Sequence, residues 1–447
     1  MLLNSKKLKR IATLLVGVSA TTIVCIETGI TKAQPNEEAK ECIVESYPDI
    51  KNLDIEIQKE TGFNLDNMKE YKDKYIQEHT LISSMQWYKG TGLPSEQIAS
   101  VTFTKESPSE YDEKWSAQMD EKDTIMGYRK GTDVFIVGEK IYTNPRAAYM
   151  FYEDMYPNLL EINGLELLDM SQCTNMRAMF AGFQGQIEGI AEWDVSKVKD
   201  TSFMFVGCTE LLTLDIANWD VSSVRRMSAM FQSSGDHTAD MKLAELDLSK
   251  WQTDSLEELN HMFYGCAQLK ELDLANWNVS NVRDYSHLFA DCYSLETIRM
   301  DNWDTSVAAS FDAMFNDCRS LTTLDISMLN TSNACMFSQM FEACYKLEKI
   351  IGIEDMDVSN ADYYAFSEMF HACKSLQTLD LSKWDTTKAD NMARMFARCP
   401  KLEEVNVTGW DISSVETMME MCNASPKLKL IGSENWDLTN IQTTNMY

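Results

Sequence analysis

The stretch LLTLDIANWDVSSVRRMSAMF runs from Leu211 to Phe231 and is one copy of a pattern that recurs along the chain. Leu214 and Ile216 flank Asp215, so a short strand there has one apolar face. Trp219-Asp220-Val221-Ser222 turns the chain. Asp and Ser in that turn can bind nearby backbone N–H groups and start a helix. Val224, Met227, Met230 and Phe231 follow at i, i+3, i+6 and i+7, a spacing that predicts one helical face. Gly207-Cys208 supplies a helix end ahead of the next Leu.

The Met-Phe pair and its replacements recur at Phe151, Phe180, Phe205, Phe231, Phe263, Phe289, Phe315, Phe341, Phe370, Phe396, Met419 and Tyr447. The commonest spacing is 26 residues. A Trp keeps step at Trp193, Trp219, Trp251, Trp277, Trp303, Trp384, Trp410 and Trp436, with Leu329 and Met356 in the two remaining places. Leu211, Leu214, Ile216, Trp219 and Val221 fit the leucine-rich pattern with Trp where Asn or Cys usually sits. A lone unit cannot bury its apolar face, whereas stacked units share one core. The expected fold is α/β, a leucine-rich-repeat-type solenoid with a short strand and a short helix per repeat. A small N-terminal non-repeat region and a cap precede it.

The unit L-x-x-L-D-L-x-x-W-D-[VT]-S-x-V-x-x-M-x-x-M-F-x-x-C resembles the repeat of BspA-like leucine-rich repeat surface proteins. Its clearest copies are Leu211–Phe231, Leu269–Phe289 and Leu376–Phe396. Val101–Phe151 resembles the segment that precedes the array in that family. The resemblance implies an exported bacterial protein that works in adhesion or host contact.

Lys6, Lys7, Lys9 and Arg10 precede an uncharged apolar run from Ile11 to Ile26, and Thr31-Lys32-Ala33 offers a cleavage site. Residues 1–33 therefore read as a signal peptide cut after Ala33. Its removal takes away five basic residues and one acidic one, and lowers the net charge from −29 to −33. With 69 acidic and 40 basic side chains the chain lacks the clustered cations that phosphate backbones require, so nucleic acid is not an expected partner. No second apolar run of spanning length follows, so no transmembrane span is expected in the mature chain. The remaining divisions are a helical region at 34–100, a cap of short strands at 101–150 and the repeats at 151–447. The strands are expected at 101–104, 125–128, 134–137 and 141–142.

Eight of the 12 cysteines share one slot: Cys208, Cys266, Cys292, Cys318, Cys344, Cys373, Cys399 and Cys422. One Cys per repeat is not a bridged framework, and no C-x-x-C pair suggests zinc. A buried row of thiols is the expectation. Cys42, Cys173 and Cys335 lie off it and leave room for one bridge. The Trp row and the Met row (Met204, Met227, Met230, Met262, Met314, Met340, Met369 and Met395) are expected in the core. His261, His287 and His371 adjoin the Met-Phe pairs and are expected on helix surfaces. No catalytic, cofactor or metal motif is present.

The strand face is the candidate partner-binding surface. Counted back from each Trp slot, it carries Asp215, Glu245, Asp247, Glu271, Asp273, Arg299, Asp301, Asp325, Glu354, Asp380 and Glu404. Such a face can steer a basic protein, for example a host or matrix protein. It can equally be a solvated face whose Asp residues bond locally. Ile350 and Gly352 fall on the same face by this count. An inserted loop at Ser233–Asp240 is a second candidate contact. The alternative function is a structural spacer or wall-associated element with contacts made by residues 34–100.

Overall fold

Alternation sets the first sheet. In β1 (Ser100–Thr104) Val101 and Phe103 are buried while the residues between them are half-exposed. The computed structural model describes residues 80–81, 87–118, 123–233, 240–362 and 364–447, all within the unit Ile76–Tyr447. The expected signal peptide, most of 34–100 and most of the inserted loop lie outside the described residues.

β2 (Glu113–Ser116), β3 (Met126–Lys130) and β4 (Asp133–Val137) follow, and Gly131 turns β3 into β4 with φ 60°. The strands expected at 101–104, 125–128, 134–137 and 141–142 are each present within two residues. β2 was not expected, because its residues are exposed or half-exposed and carry no apolar alternation. β5 (Ile141–Tyr142) pairs in parallel with β7 (Leu168–Asp169). β6 (Glu161–Asn163) lies parallel to β1, giving the order β2-β3-β4-β1-β6.

The repeats supply the other strands, each of three residues. β8 (Glu271–Asp273) pairs in parallel with β9 (Thr297–Arg299), and β10 (Thr323–Asp325) with β11 (Lys349–Ile351). β12 (Thr378–Asp380), β13 (Glu404–Asn406) and β14 (Lys429–Ile431) form a third sheet. The middle residue of each faces inward: Leu272, Leu324, Ile350, Leu379, Val405 and Leu430 are buried, and Ile298 is half-buried. The segments 211–216 and 241–248 hold Leu211, Leu214, Ile216, Leu243, Leu246 and Leu248 in the core without forming a strand, while Leu212 is exposed.

The expected helix is absent. No α-helix occurs among the described residues, only short 3-10 turns. The Met-Phe segment is instead a run of tight turns whose N–H groups alternate in direction. Met204 and Val206 donate back within the turn, to Thr201 and Phe203. Phe205 and Gly207 donate to the next repeat, to Met230 and Gln232. The switch is a left-handed residue two places before each Phe, among them Ala178 (φ 51°), Ala229 (φ 55°), His261 (φ 59°) and Arg394 (φ 53°). A helix cannot pass through that conformation, and the N–H groups it frees point along the stack.

The Phe–N–H to carbonyl contact repeats from Phe151 to Cys422, and the rings stack with it. Phe151, Phe180, Phe205, Phe231 and Phe263 lie 5.3–5.8 Å apart, centroid to centroid. Phe289, Phe315, Phe341, Phe370 and Phe396 continue the column at 5.5–6.0 Å. The expected Met row is wholly buried beside it. No described helix is long and apolar enough to cross a membrane.

Two details of register differ from the sequence reading. Cys422 occupies the Phe slot, since its N–H donates to Met446 at 2.7 Å as Phe does elsewhere. Ser425 takes the Cys slot, its hydroxyl donating to the Phe396 carbonyl at 2.6 Å. Met419 is therefore not the Phe replacement, and the step from Phe396 returns to 26 residues. In the second case, Gly352 adopts φ 87° and absorbs one extra residue, so Ile353 fills the inward slot. Ile350 is buried rather than outward, and Lys349 and Ile351 flank it on the face.

Candidate functional site

The interior columns are structural. Each slot thiol donates to the Phe carbonyl of the preceding repeat. Cys208 reaches Phe180 at 3.0 Å, Cys266 reaches Phe231 at 3.2 Å and Cys318 reaches Phe289 at 3.1 Å. Cys292, Cys344, Cys373 and Cys399 repeat the contact at 3.0–3.1 Å. These carbonyls are buried and need a donor. All ten described cysteines are free, including Cys173 and Cys335, while Cys42 lies outside the described residues. Burial holds the slot thiols well above their ordinary pKa, with Cys399 at about 12. The thiol row expected from the spacing is present, apart from Cys422.

The Trp row is likewise interior, and its indole N–H groups bridge repeats. Trp193 donates to Leu165 at 2.9 Å, Trp219 to Ile190 at 2.9 Å and Trp384 to Ile353 at 2.9 Å. Trp436 alone of the row is only partly buried. The histidines differ from expectation. His261 and His287 are half-buried and their rings stack at 4.7 Å, one above the other. Burial lowers both pKa values. Their shared slot, 26 residues apart, was the sequence signal for this contact. His371 pairs with Glu342 at 2.8 Å. Among the described residues no group of three or more His, Cys, Asp or Glu is placed to hold a metal ion.

The strand face is where charge is available. Of its named members, Asp273 is half-exposed and Asp215, Glu245, Asp247, Glu271, Arg299, Asp301, Asp325, Asp380 and Glu404 are exposed. Glu354 is half-exposed within a 3-10 turn, Ile353–Asp355. Asp215, Glu245 and Asp247 lie outside any strand. The carboxylates fall into two groups. Asp247 and Asp325 each accept from the backbone N–H and the hydroxyl of the Ser two residues on, at 2.6–3.0 Å. Asp380 accepts from the Ser382 N–H at 3.1 Å, and Asp273 from the Ala275 N–H at 3.2 Å. The Ser hydroxyl and N–H hold Asp247, Asp325 and Asp380 below the usual carboxylate pKa. Arg299 spans Asp273 at 2.8 Å and Asp301 at 3.1 Å, and neutralises that part of the face.

Asp215, Glu245, Glu271 and Glu404 form the second group. Their carboxylates have no hydrogen bond or ion pair among the described residues. The tied Asp residues shape the turns, and the carboxylates of the second group are left unengaged.

This geometry defines a repeat protein: short parallel strands and turns stacked through one continuous core. The chain belongs to the family described as "Mycoplasma protein of unknown function, DUF285", whose model matches residues 147–247, 237–352 and 339–447. No curated protein matches the chain. Among solved structures, it is similar at 15% identity to one described as a TLR13–ssRNA13 complex, covering 65% of this chain and 58% of that one, with a TM-score of 0.18. It is similar at 12% identity to the functional domain of InlJ from Listeria monocytogenes, described as including a cysteine ladder. That match covers 67% of this chain and 70% of that one, with a TM-score of 0.17. Scores this low leave the architecture to rest on the repeats themselves.

Proposed function

We propose that the chain is an exported bacterial leucine-rich-repeat-type solenoid of the BspA-like kind, acting by binding rather than by catalysis. Its partner is a basic protein, such as a host or matrix protein, docked on the strand face. The observation that carries this is the set of unengaged carboxylates at Asp215, Glu245, Glu271 and Glu404, exposed on one face of several repeats. Acidic groups placed this way speed encounter with a basic surface and select for it. The family match supports the repeat architecture, and the basic n-region followed by an apolar run supports export.

The test is capture of immobilised basic matrix proteins by residues 34–447 at low and moderate salt. Capture should fall as salt rises. The triple variant Glu245→Lys, Glu271→Lys, Glu404→Lys should abolish it. Undiminished capture by that variant would remove the strand face from the proposal. This variant is a cleaner probe than reversal of Asp247 or Asp325, whose carboxylates also hold turns.

A further inference from the structure

The turns that follow the Phe column build a second site, independent of the strand face. The fourth residue after Phe is Tyr293, Arg319, Tyr345 and Lys374 in four consecutive repeats. The Arg319 guanidinium lies 4.0 Å from the Tyr293 ring centre and 5.6 Å from that of Tyr345. Lys374 Nζ sits 3.6 Å from the centre of Tyr345. Ring and cation alternate along this column, each held by the next. Beside it, small residues such as Ala343 and Ala372 leave a groove of about 470 Å³.

The order of groups along the groove follows the order of repeats. Asp317 donates its N–H to the Glu342 carbonyl at 2.7 Å, Ala343 to that of His371 at 2.8 Å, and Ala372 to that of Ala397 at 2.8 Å. Arg398 continues the series to Asn423 at 2.8 Å. Adjacent strands are about 4.8 Å apart, so Asp317 and Arg398 are separated by roughly 14 Å along the stack.

Charge is distributed unevenly along that distance. At the first end Arg319 binds Asp317 through two nitrogens, at 2.7 and 2.6 Å, so that pair is neutral, and Asp291 adds a further carboxylate to that end. In the middle Glu342 accepts from Asn316 at 2.9 Å and pairs with His371 at 2.8 Å. At the far end Lys374 and Arg398 are exposed and have no ion pair among the described residues. On a chain of net charge −29, two unpaired cations sharing one groove are an anion subsite.

We propose that this groove binds an acidic saccharide of the hexuronate class. The sugar carboxylate lies between Lys374 and Arg398. Ring hydroxyls meet the Glu342 carboxylate, the Asn316 amide and the His371 imidazole. Planar groups with both donors and acceptors match neighbouring hydroxyls, and Glu342 keeps lone pairs beyond those it already uses. Glu342 also repels a second anion, so the groove takes one negative charge at one end and neutral polar groups along the rest. Polyphosphates and heavily sulfated chains do not fit that pattern.

The experiment is calorimetric titration of residues 34–447 with a non-sulfated glucuronate-containing tetrasaccharide. It is run at about 0.15 M salt, where screening over about 8 Å limits repulsion from the acidic chain. Saturable one-to-one binding is expected, with a shift of the His371 ring signals in the proton NMR spectrum. The Lys374→Ala/Arg398→Ala double variant should bind at least tenfold more weakly while keeping a cooperative melt, since both side chains are exposed and only the Lys374 contact with the Tyr345 ring is lost. The carboxyl-reduced, neutral tetrasaccharide should lose affinity to the same extent. Absence of binding by the unmodified chain overturns the proposal, as does equal affinity for the neutral sugar. Binding that leaves the His371 signals unmoved, or that favours an acidic peptide over the saccharide, overturns it too.

Discussion

The two backbone ladders of the repeats differ in continuity. The turn ladder, from the N–H at each Phe slot to the carbonyl of the Met or Leu before the next, passes through every junction from Phe151 to Met446. The strand ladder is broken into β8–β9, β10–β11 and β12–β13–β14, and is missing at 211–216 and 241–248. The difference follows from what each side buries. A three-residue strand puts one Leu, Ile or Val inward, whereas most turns bury Met or Leu together with Phe and add a thiol bond. The molecule is held mainly along its turns, and the strand face is freer to vary in residue and spacing.

The sharpest way to break this comparison is Phe315→Ala. It removes a ring stacked on both sides, and should cost about 3–5 kcal/mol in a denaturant melt. Ile298→Ala, on the half-buried strand side, should cost less. An equal loss would mean that the strands matter as much as the turns. Next, Trp384→Phe keeps a ring but leaves the Ile353 carbonyl without its indole donor, for a loss of about 1–3 kcal/mol.

Cys318→Ala should expose the same kind of defect at the Phe289 carbonyl, at the lower end of that range. Cys318→Ser should recover part of the loss, as Ser425 already donates to Phe396 in that slot. In native buffer a thiol reagent should reach half-buried Cys335 before the buried row, whose thiols react only on unfolding. Uniform labelling of all ten described thiols in the native state would contradict the turn ladder.

A smaller effect concerns acid. Asp247, Asp325 and Asp380 have folded pKa values below the ordinary aspartate value, because Ser hydroxyl and N–H groups bind the ionised form. Their contribution to stability is complete above the unfolded aspartate pKa. It is lost as the pH falls through the lowered folded values. A melt series from neutral to acid pH should show that loss reduced in the triple Asn variant at these positions. Smallest of all, Glu271→Lys should change stability by no more than about 0.5 kcal/mol, and register only in binding.

Much of this architecture was legible in the 26-residue period, including the inward Leu and Trp positions and the outward Asp. The turn ladder was not. Val224, Met227, Met230 and Phe231 fit a helical stripe, and the same side chains are buried in the turns. The distinguishing residue is Ala229, left-handed at φ 55°, and Ala is a strong helix former that gives no such warning. The Cys422 register was hidden by Met418, Met419 and Met421, three candidates for one slot. At the strand face, sequence gave the outward positions of Asp247 and Glu271 alike. It could not separate the carboxylate tied to Ser249 from the free one, because that distinction depends on local turn geometry.

The thiol and indole bonds share a direction: Cys318 reaches back to Phe289, and Trp384 reaches back to Ile353. A repeat that carries both Cys and Trp brings the donors that satisfy its predecessor. Most junctions are therefore of one type, and those at Leu329 and Met356 lack only the indole bond. A gene that gains or loses a whole repeat by unequal recombination recreates an existing junction at the seam. The number of repeats can change by single units while the interior chemistry stays the same, and the strand face lengthens or shortens with it.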